Sequence, residues 1–151
     1  MFLTHKDDVR DHVKWSELLG CENLHSGDVE YSTSDVEMKL YGNGPWCIVA
    51  DFELIHIPSH TEVSVCYSTK SLKVLFTVDH LAKSEESELG IFGIYNQVSV
   101  TMGLNIVRKF VDLDFKWILP GNGWRVEYRD DENNSALEAF LVPKSKFMPE
   151  T

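Results

Sequence analysis

The sequence lacks any apolar run long enough to cross a membrane. None of its apolar stretches approaches the roughly 20 residues that a bilayer-spanning helix needs. The first residues, Met1 to Asp8, turn acidic where a signal peptide would have its apolar stretch. The sequence therefore predicts neither a membrane protein nor a secreted one, and a cytoplasmic or other intracellular location is expected.

Cysteine is also scarce, with only Cys21, Cys47 and Cys66 along the chain. The count is odd, the three are far apart, and there is no CxxC pair. This pattern argues against a disulfide scaffold and favours reduced thiols in a cytosolic or viral intracellular protein.

Basic residues are outnumbered by acidic ones, at 14 Lys and Arg against 24 Asp and Glu, for a formal net charge of -10. A general nucleic-acid binder needs the opposite sign, because phosphate neutralisation supplies much of its affinity. Residues 1–40 carry 4 basic and 9 acidic side chains, so half of the net charge lies in this segment. The acidity predicts electrostatic steering toward a basic partner surface.

Length and composition are those of one ordinary globular domain. The chain has 151 residues, with 43% hydrophobic and 25% charged side chains. We predict a single domain over residues 1–151. It comprises an N-terminal helix over 1–20, a mainly β core over 29–142 and a C-terminal tail over 143–151.

The N-terminal helix is predicted from capping signals and spacing. Thr4 with Asp7 three residues later resembles a capping box, and the apolar residues Val13 and Leu18 fall near helical spacing. Gly20 is placed to end this helix.

From Val29 onward most apolar residues alternate with polar ones, which indicates strands. Such alternation occurs around residues 36–40, 48–55, 63–67, 72–78, 98–102, 113–117 and 124–128. We therefore predict an α+β, β-dominated fold. An N-terminal helix would accompany an antiparallel sheet, sandwich or barrel of about six to eight strands.

Two stretches fit more than one element. Residues 106–111 have helical spacing directly before a strand pattern, which predicts a short helix or a bent segment. Residues 136–142 fit either a helix capped by Ser135 and Glu138 or the return strand of a hairpin. The hairpin is favoured because a strand precedes the turn and Pro143 ends the segment.

Residues 44–50, Gly-Pro-Trp-Cys-Ile-Val-Ala, resemble the Gly-x-Trp opening of the first strand in lipocalins. The resemblance covers seven residues. It implies an eight-stranded barrel that binds small apolar ligands inside.

Four residues are the candidates for a catalytic cleft: His56, His60, His80 and Cys66. His56 and His60 are four apart, but Pro58 between them opposes a helix that would put both on one face. Carboxylates on one strand face, such as Asp112 and Asp114, would raise each other's pKa only if buried. We therefore predict no catalytic residue, no metal site and no cofactor.

The sequence predicts a non-enzymatic acidic protein-interaction module, either an inhibitor, an immunity or host-interaction factor, or a subunit of a larger assembly. Its partner would be a protein with a basic surface, contacted through Asp7, Asp8 and Asp11, and self-association is left open. A barrel that binds a small molecule and a small enzyme with a histidine-containing cleft are the alternatives.

Overall fold

A computed structural model describes residues 1–5, 11–26, 36–58, 60–84, 89–91, 100–129 and 132–145. The helices of these ranges are α1 (His12–Leu19), α2 (Val100–Val111) and α3 (Glu132–Ser145). The strands are β1 (Leu24–Ser26), β2 (Met38–Leu40), β3 (Trp46–Val49), β4 (Phe52–His56), β5 (Val65–Thr69), β6 (Val74–Val78), β7 (Ala82–Lys83), β8 (Leu89–Gly90), β9 (Trp117–Pro120) and β10 (Val126–Glu127). No helix in these ranges is both long and apolar enough to span a membrane.

Six strands form the main sheet, in the order β10-β9-β6-β5-β4-β3. Neighbouring strands are antiparallel except β6 and β9, which are parallel. A parallel pair requires a crossover connection, and α2 lies between these two strands in the chain. The carboxyl ends of β6 and β9 consequently meet at the same edge of the sheet.

Side chains of the main sheet alternate between two apolar layers, as the pleat of a strand requires. One layer joins the sheet to the helices α2 and α3 through Ile55, Cys66, Leu75, Ile118, Leu104, Val107, Phe110, Leu137 and Phe140. On the opposite face Leu54 and Val65 pack against Leu24, with Phe2 and Tyr67 at the margin. The sheet is therefore covered by helices on one face and by N-terminal segments on the other.

The N-terminal residues run alongside β1 and reach β5. Leu3 donates its backbone N–H to Leu24 (2.9 Å), and Leu24 donates to Met1 (2.8 Å). Val65, the first residue of β5, donates to the carbonyl oxygen of Thr4 at 2.9 Å. These bonds fix the backbone immediately before His5.

The predicted α+β, β-rich class is confirmed, with an N-terminal helix and a mostly antiparallel multi-stranded sheet. The helix, however, begins at His12 rather than near Thr4, because the first residues are used in backbone pairing with β1 and β5. It ends at Gly20 as predicted. Gly20 has φ 62°, and the capping N–H groups donate to Glu17 and Ser16.

Two predicted strands are helices. The alternation over 98–102 predicted a strand, but α2 begins at Val100, and Leu104, Val107 and Phe110 point to the core at helical spacing. The hairpin return over 136–142 is also wrong, because α3 buries Leu137 and Phe140 on one face.

The start of α3 has a cap that the sequence reading did not identify. Arg129 donates its backbone N–H to the Glu132 carboxylate at 3.1 Å, and Glu132 donates its own N–H to the Arg129 carbonyl. This reciprocal pair satisfies groups that would otherwise be orphaned at the helix start, which favours the helix over a hairpin.

The barrel implied by the lipocalin resemblance is not formed. Trp46 does open a strand, but β3 is an edge of the main sheet and β10 is the opposite edge. Over the ranges given above, these two edges do not pair with each other, so the sheet is open. The resemblance of residues 44–50 therefore reflects a similar strand start and not a similar fold.

Candidate functional site

Three side chains from distant parts of the chain meet at one edge of the sheet: His5, His60 and Asp79. His5 directly follows Thr4, whose carbonyl oxygen is held by Val65. It is 5% exposed, so its ring lies within the protein.

His60 lies in the loop between β4 and β5. Thr61 donates its backbone N–H to the Ser64 hydroxyl at 2.9 Å, and Ser64 donates its backbone N–H to the Thr61 carbonyl at 3.3 Å. Ile57 closes the loop by donating to the Ser64 carbonyl at 2.9 Å. This local network holds a histidine that is only 9% exposed.

Asp79 follows the last residue of β6, at a backbone bend. Val78 has φ 51°, a conformation that is rare and costly for a β-branched residue. His80 then donates its backbone N–H to the Thr77 carbonyl at 2.9 Å, which closes a turn around Asp79. The bend takes Asp79 out of the strand and toward the two histidines.

The donor atoms of the three residues lie within 4.8 Å of one another. Nε2 of His5 is 3.5 Å from Oδ2 of Asp79, and Nε2 of His60 is 3.8 Å from the same oxygen. The two imidazole rings meet edge to face, with centroids 4.8 Å apart. Atoms bound to one tetrahedral zinc ion at ~2.0–2.2 Å are about 3.4 Å apart, which is close to the two nitrogen–oxygen distances.

The other carboxylate oxygen of Asp79 is held by the turn between β9 and β10. Nδ2 of Asn122 donates to Oδ1 of Asp79 at 2.7 Å. In the same turn, Gly121 donates its backbone N–H to the Val78 carbonyl at 2.7 Å. The two carboxylate oxygens therefore have different neighbours.

His80 is next to Asp79 in the chain but is packed into the core. It is fully buried, and its ring meets the edge of Phe110 with centroids 5.9 Å apart. Burial, and to a smaller extent the charge of His60, lower the pKa of His80 to about 4. It is therefore a neutral core residue near pH 7.

No family of known proteins matches the sequence, and neither does any curated protein. Solved structures do match. TMB-1 has a TM-score of 0.68 at 17% identity, with 95% of this chain and 67% of that chain covered. The metallo-β-lactamase FIM-1 from Pseudomonas aeruginosa, in its mono-zinc form, has a TM-score of 0.67 at 15% identity, with 97% and 67% covered. An archaeal metallo-β-lactamase superfamily protein from Sulfolobus tokodaii has a TM-score of 0.61 at 16% identity, with 99% and 69% covered.

The chain has the metallo-β-lactamase fold. It spans about two thirds of the length of the solved structures that it matches. The prediction of a non-enzymatic interaction module is contradicted, because these neighbours are enzymes of the metallo-β-lactamase superfamily. The predictions of a protein-binding role, of a viral protein and of a ligand-binding barrel are contradicted as well.

Of the four residues predicted as candidates for a catalytic cleft, one, His60, belongs to the cluster of His5, His60 and Asp79. His56 lies in β4, where its Nε2 donates to the Glu62 carbonyl at 2.9 Å. Cys66 is buried in β5, and burial raises the pKa of its thiol. His80 is the core residue described above.

The charged candidates lie elsewhere. Asp112 and Asp114 follow α2, and Asp114 forms an exposed ion pair with Lys73 at 3.1 Å. Asp7 and Asp8 lie outside the described residues, whereas Asp11 is exposed and precedes the first turn of α1 with φ 59°. A basic protein partner stays a prediction.

Two residues of the cluster, His5 and Asp79, were not recognised as site residues from the sequence. Each has a local signal, because His5 comes two residues after the apolar pair Phe2-Leu3 and Asp79 directly follows the alternating run 72–78. Polar side chains at strand ends are where a sheet of this kind presents functional groups. The prediction of no metal site rested on His56, His60 and His80, and the structure instead joins His60 to His5 and Asp79.

Proposed function

We propose that this chain is a zinc-dependent hydrolase domain in which His5, His60 and Asp79 hold one Zn²⁺ ion. The observation that carries the proposal is the convergence of two imidazole nitrogens and one carboxylate oxygen within 4.8 Å. Two histidines and one carboxylate are an established ligand set of catalytic zinc sites, in which a fourth position stays open for water or substrate.

Preorganisation of the ligands supports this assignment. Backbone bonds hold each ligand from a separate segment: Thr4 to Val65 for His5, Thr61 to Ser64 for His60, and Thr77 to His80 for Asp79. Rigid ligands lose little conformational entropy when an ion binds.

Partial access to solvent also supports a catalytic role. The side chains of His60 and Asp79 are 11% and 16% exposed, whereas that of His5 is 6% exposed. A zinc ion bound by three protein ligands polarises a carbonyl group and lowers the pKa of a water molecule to near 7. The three ligands of this chain would hold such an ion close to the surface, where a substrate can reach it.

The substrate class is an amide or ester carbonyl. One structural neighbour is a metallo-β-lactamase exposed to ceftazidime, and another is a metallo-β-lactamase in a mono-zinc form. A cyclic amide is therefore the first substrate to test, and one ion per chain is the stoichiometry to expect.

The test begins with zinc binding to the metal-free protein, measured by competition with a chromophoric chelator. Wild type and the control His56→Asn are expected to bind one equivalent. His5→Asn, His60→Asn and Asp79→Asn each remove a ligand atom and are expected to bind at least tenfold more weakly. His56 is a suitable control because it lies outside the cluster.

Hydrolysis is then measured with a chromogenic β-lactam and a chromogenic ester. Zinc-loaded wild type and His56→Asn are expected to hydrolyse at least one of them, and the three ligand variants neither. Zinc affinity that is unchanged in Asp79→Asn would overturn the metal site. Tight zinc binding with no turnover of either substrate would leave the metal site standing and refute the hydrolase assignment.

A further inference from the structure

The turn between β9 and β10 reaches across to the proposed metal site through Asn122. Its Nδ2 donates to Oδ1 of Asp79 at 2.7 Å, a short contact between residues 43 positions apart. The remaining oxygen, Oδ2, is the one that lies near His5 and His60. The side-chain amide therefore binds Oδ1 of the carboxylate, and Oδ2 is left directed at the histidines.

We infer that Asn122 is a positioning residue that presents a single oxygen of Asp79 to one divalent ion. This inference rests on the proposed function. Rotation of the carboxylate away from this orientation would break the bond from Asn122. A carboxylate that binds one ion through each of its oxygens needs both of them, whereas here Oδ1 already accepts a hydrogen bond. Asn122 thus favours ligation through Oδ2 alone.

The chemistry of the amide suits this task better than that of a charged donor. A lysine or arginine at position 122 would repel a divalent cation held at Asp79, since like charges at a few ångströms are unfavourable. A neutral amide donates to the carboxylate without adding charge. Hydrogen bonds from outer residues to a ligating carboxylate orient it and tune the site.

The backbone of the turn places Asn122 independently of its side chain. Gly121 donates its N–H to the Val78 carbonyl at 2.7 Å. A Cβ at position 121 would lie 3.1 Å from Oδ1 of Asp79 and 3.5 Å from the Val78 carbonyl. Glycine leaves room for this close approach, so the turn is docked by its backbone, and removal of the Asn122 amide is expected to leave the turn in place.

The test compares Asn122→Ala with Asn43→Ala in the intact chain. Asn43 is a matched control because it is also an exposed asparagine between two glycines, Gly42 and Gly44, and lies outside the cluster. Zinc affinity is expected to fall about 10–100-fold in Asn122→Ala and to stay unchanged in Asn43→Ala. Equal affinity in the two variants would overturn the inference.

A second readout reports on the geometry of the ligands. Co²⁺ is added in place of zinc, and the visible absorption of the complex is recorded for wild type, Asn43→Ala and Asn122→Asp. The last variant keeps the shape of asparagine but loses both N–H donors. A changed spectrum in Asn122→Asp alone supports the inference. An unchanged spectrum overturns it even if Asn122→Ala fails to fold.

The outcomes separate this inference from the proposed function. If wild type and Asn43→Ala bind no zinc, the proposed function itself fails. If both bind one equivalent and Asn122→Ala binds equally well, only the role of Asn122 is refuted. Two equivalents in wild type, both lost in Asp79→Asn, would refute the one-ion site while retaining the metal centre.

Discussion

The backbone N–H of Val65 donates to the carbonyl oxygen of Thr4 at 2.9 Å. This bond joins the N-terminal segment to the first residue of β5. It thereby brings His5, next to Thr4, close to the loop that carries His60. The site depends on how firmly residues 1–4 are held against the sheet.

Leu3 contributes to this attachment, since its side chain is buried and its backbone pairs with Leu24. Leu3→Ala is expected to lower the free energy of unfolding by about 2–5 kcal/mol, because it leaves a cavity in the core. Urea denaturation followed by circular dichroism measures this change. Leu18→Ala, at a residue 70% exposed on α1, is the control and is expected to change stability by about 0.5 kcal/mol or less.

Zinc is expected to stabilise the folded chain, because the three ligands converge only in the folded state. At a free zinc concentration of 100 times Kd, the free energy of unfolding rises by about 2.7 kcal/mol. Chelation should reverse the rise in the thermal unfolding midpoint. Asp79→Asn should abolish most of it, and a shift of equal size in Asp79→Asn would contradict zinc binding at this cluster.

His80 is expected to make the metal-free protein less stable in acid. Its pKa is lowered from 6.5 to about 4 in the folded state, first by burial and then by the charge of His60. Between pH 6.5 and about 4 the unfolded chain therefore binds a proton that the folded chain does not. Stability falls as the pH falls through this window, by about 3 kcal/mol in total, and His80 has no such effect above it.

Urea denaturation at several pH values between 7 and 4, with a chelator present, measures this contribution. His80→Leu replaces the imidazole by an apolar side chain and should show a shallower loss of stability with acid than wild type. His56→Leu is the control for a histidine outside this core position. An identical pH dependence in His80→Leu and wild type would show that His80 is not held neutral by burial.

The three cysteines are expected to differ in reactivity. Cys21 and Cys47 are exposed, whereas Cys66 is buried and burial raises the pKa of its thiol. The thiolate is the reactive form, so a disulfide reagent should modify two thiols rapidly in the folded protein and the third only upon unfolding. Cys66→Ala should leave the rapid phase unchanged. A rapid third equivalent in folded wild type would contradict the burial of Cys66.

The sequence predicted the fold class because alternation is a local property. Val65, Cys66 and Tyr67 read as a strand from their own order, and they form β5. The strand predicted for residues 136–142 was wrong because the apolar pattern of a run of seven residues fits both the helical and the strand periodicity. The long-range packing of Leu137 and Phe140 against α2 and the sheet decides for the helix. Pro143, taken as the end of a strand, lies in the last turns of α3.

The candidate metal site could not be predicted from local sequence patterns in the way that the strands were. His5, His60 and Asp79 share no local spacing, and they converge because the antiparallel pairing of β4, β5 and β6 and the N-terminal pairing bring their backbones together. The spacing of four between His56 and His60 is conspicuous in the sequence, but His5 and not His56 lies beside His60 in the structure. The local signals at His5 and Asp79 do not say which segments of the chain come together.

The parallel pairing of β6 with β9 also bears on when the site is completed during folding. Asp79 and Asn122 meet across 43 positions, and the chain between them contains α2. Closing so long a loop costs entropy that local contacts do not repay, which makes such pairings late events in folding. A chain still emerging from the ribosome would lack the Asp79–Asn122 contact until residue 122 was free. Zinc binding at full affinity would therefore require that synthesis had passed β9, and shorter fragments would bind zinc more weakly.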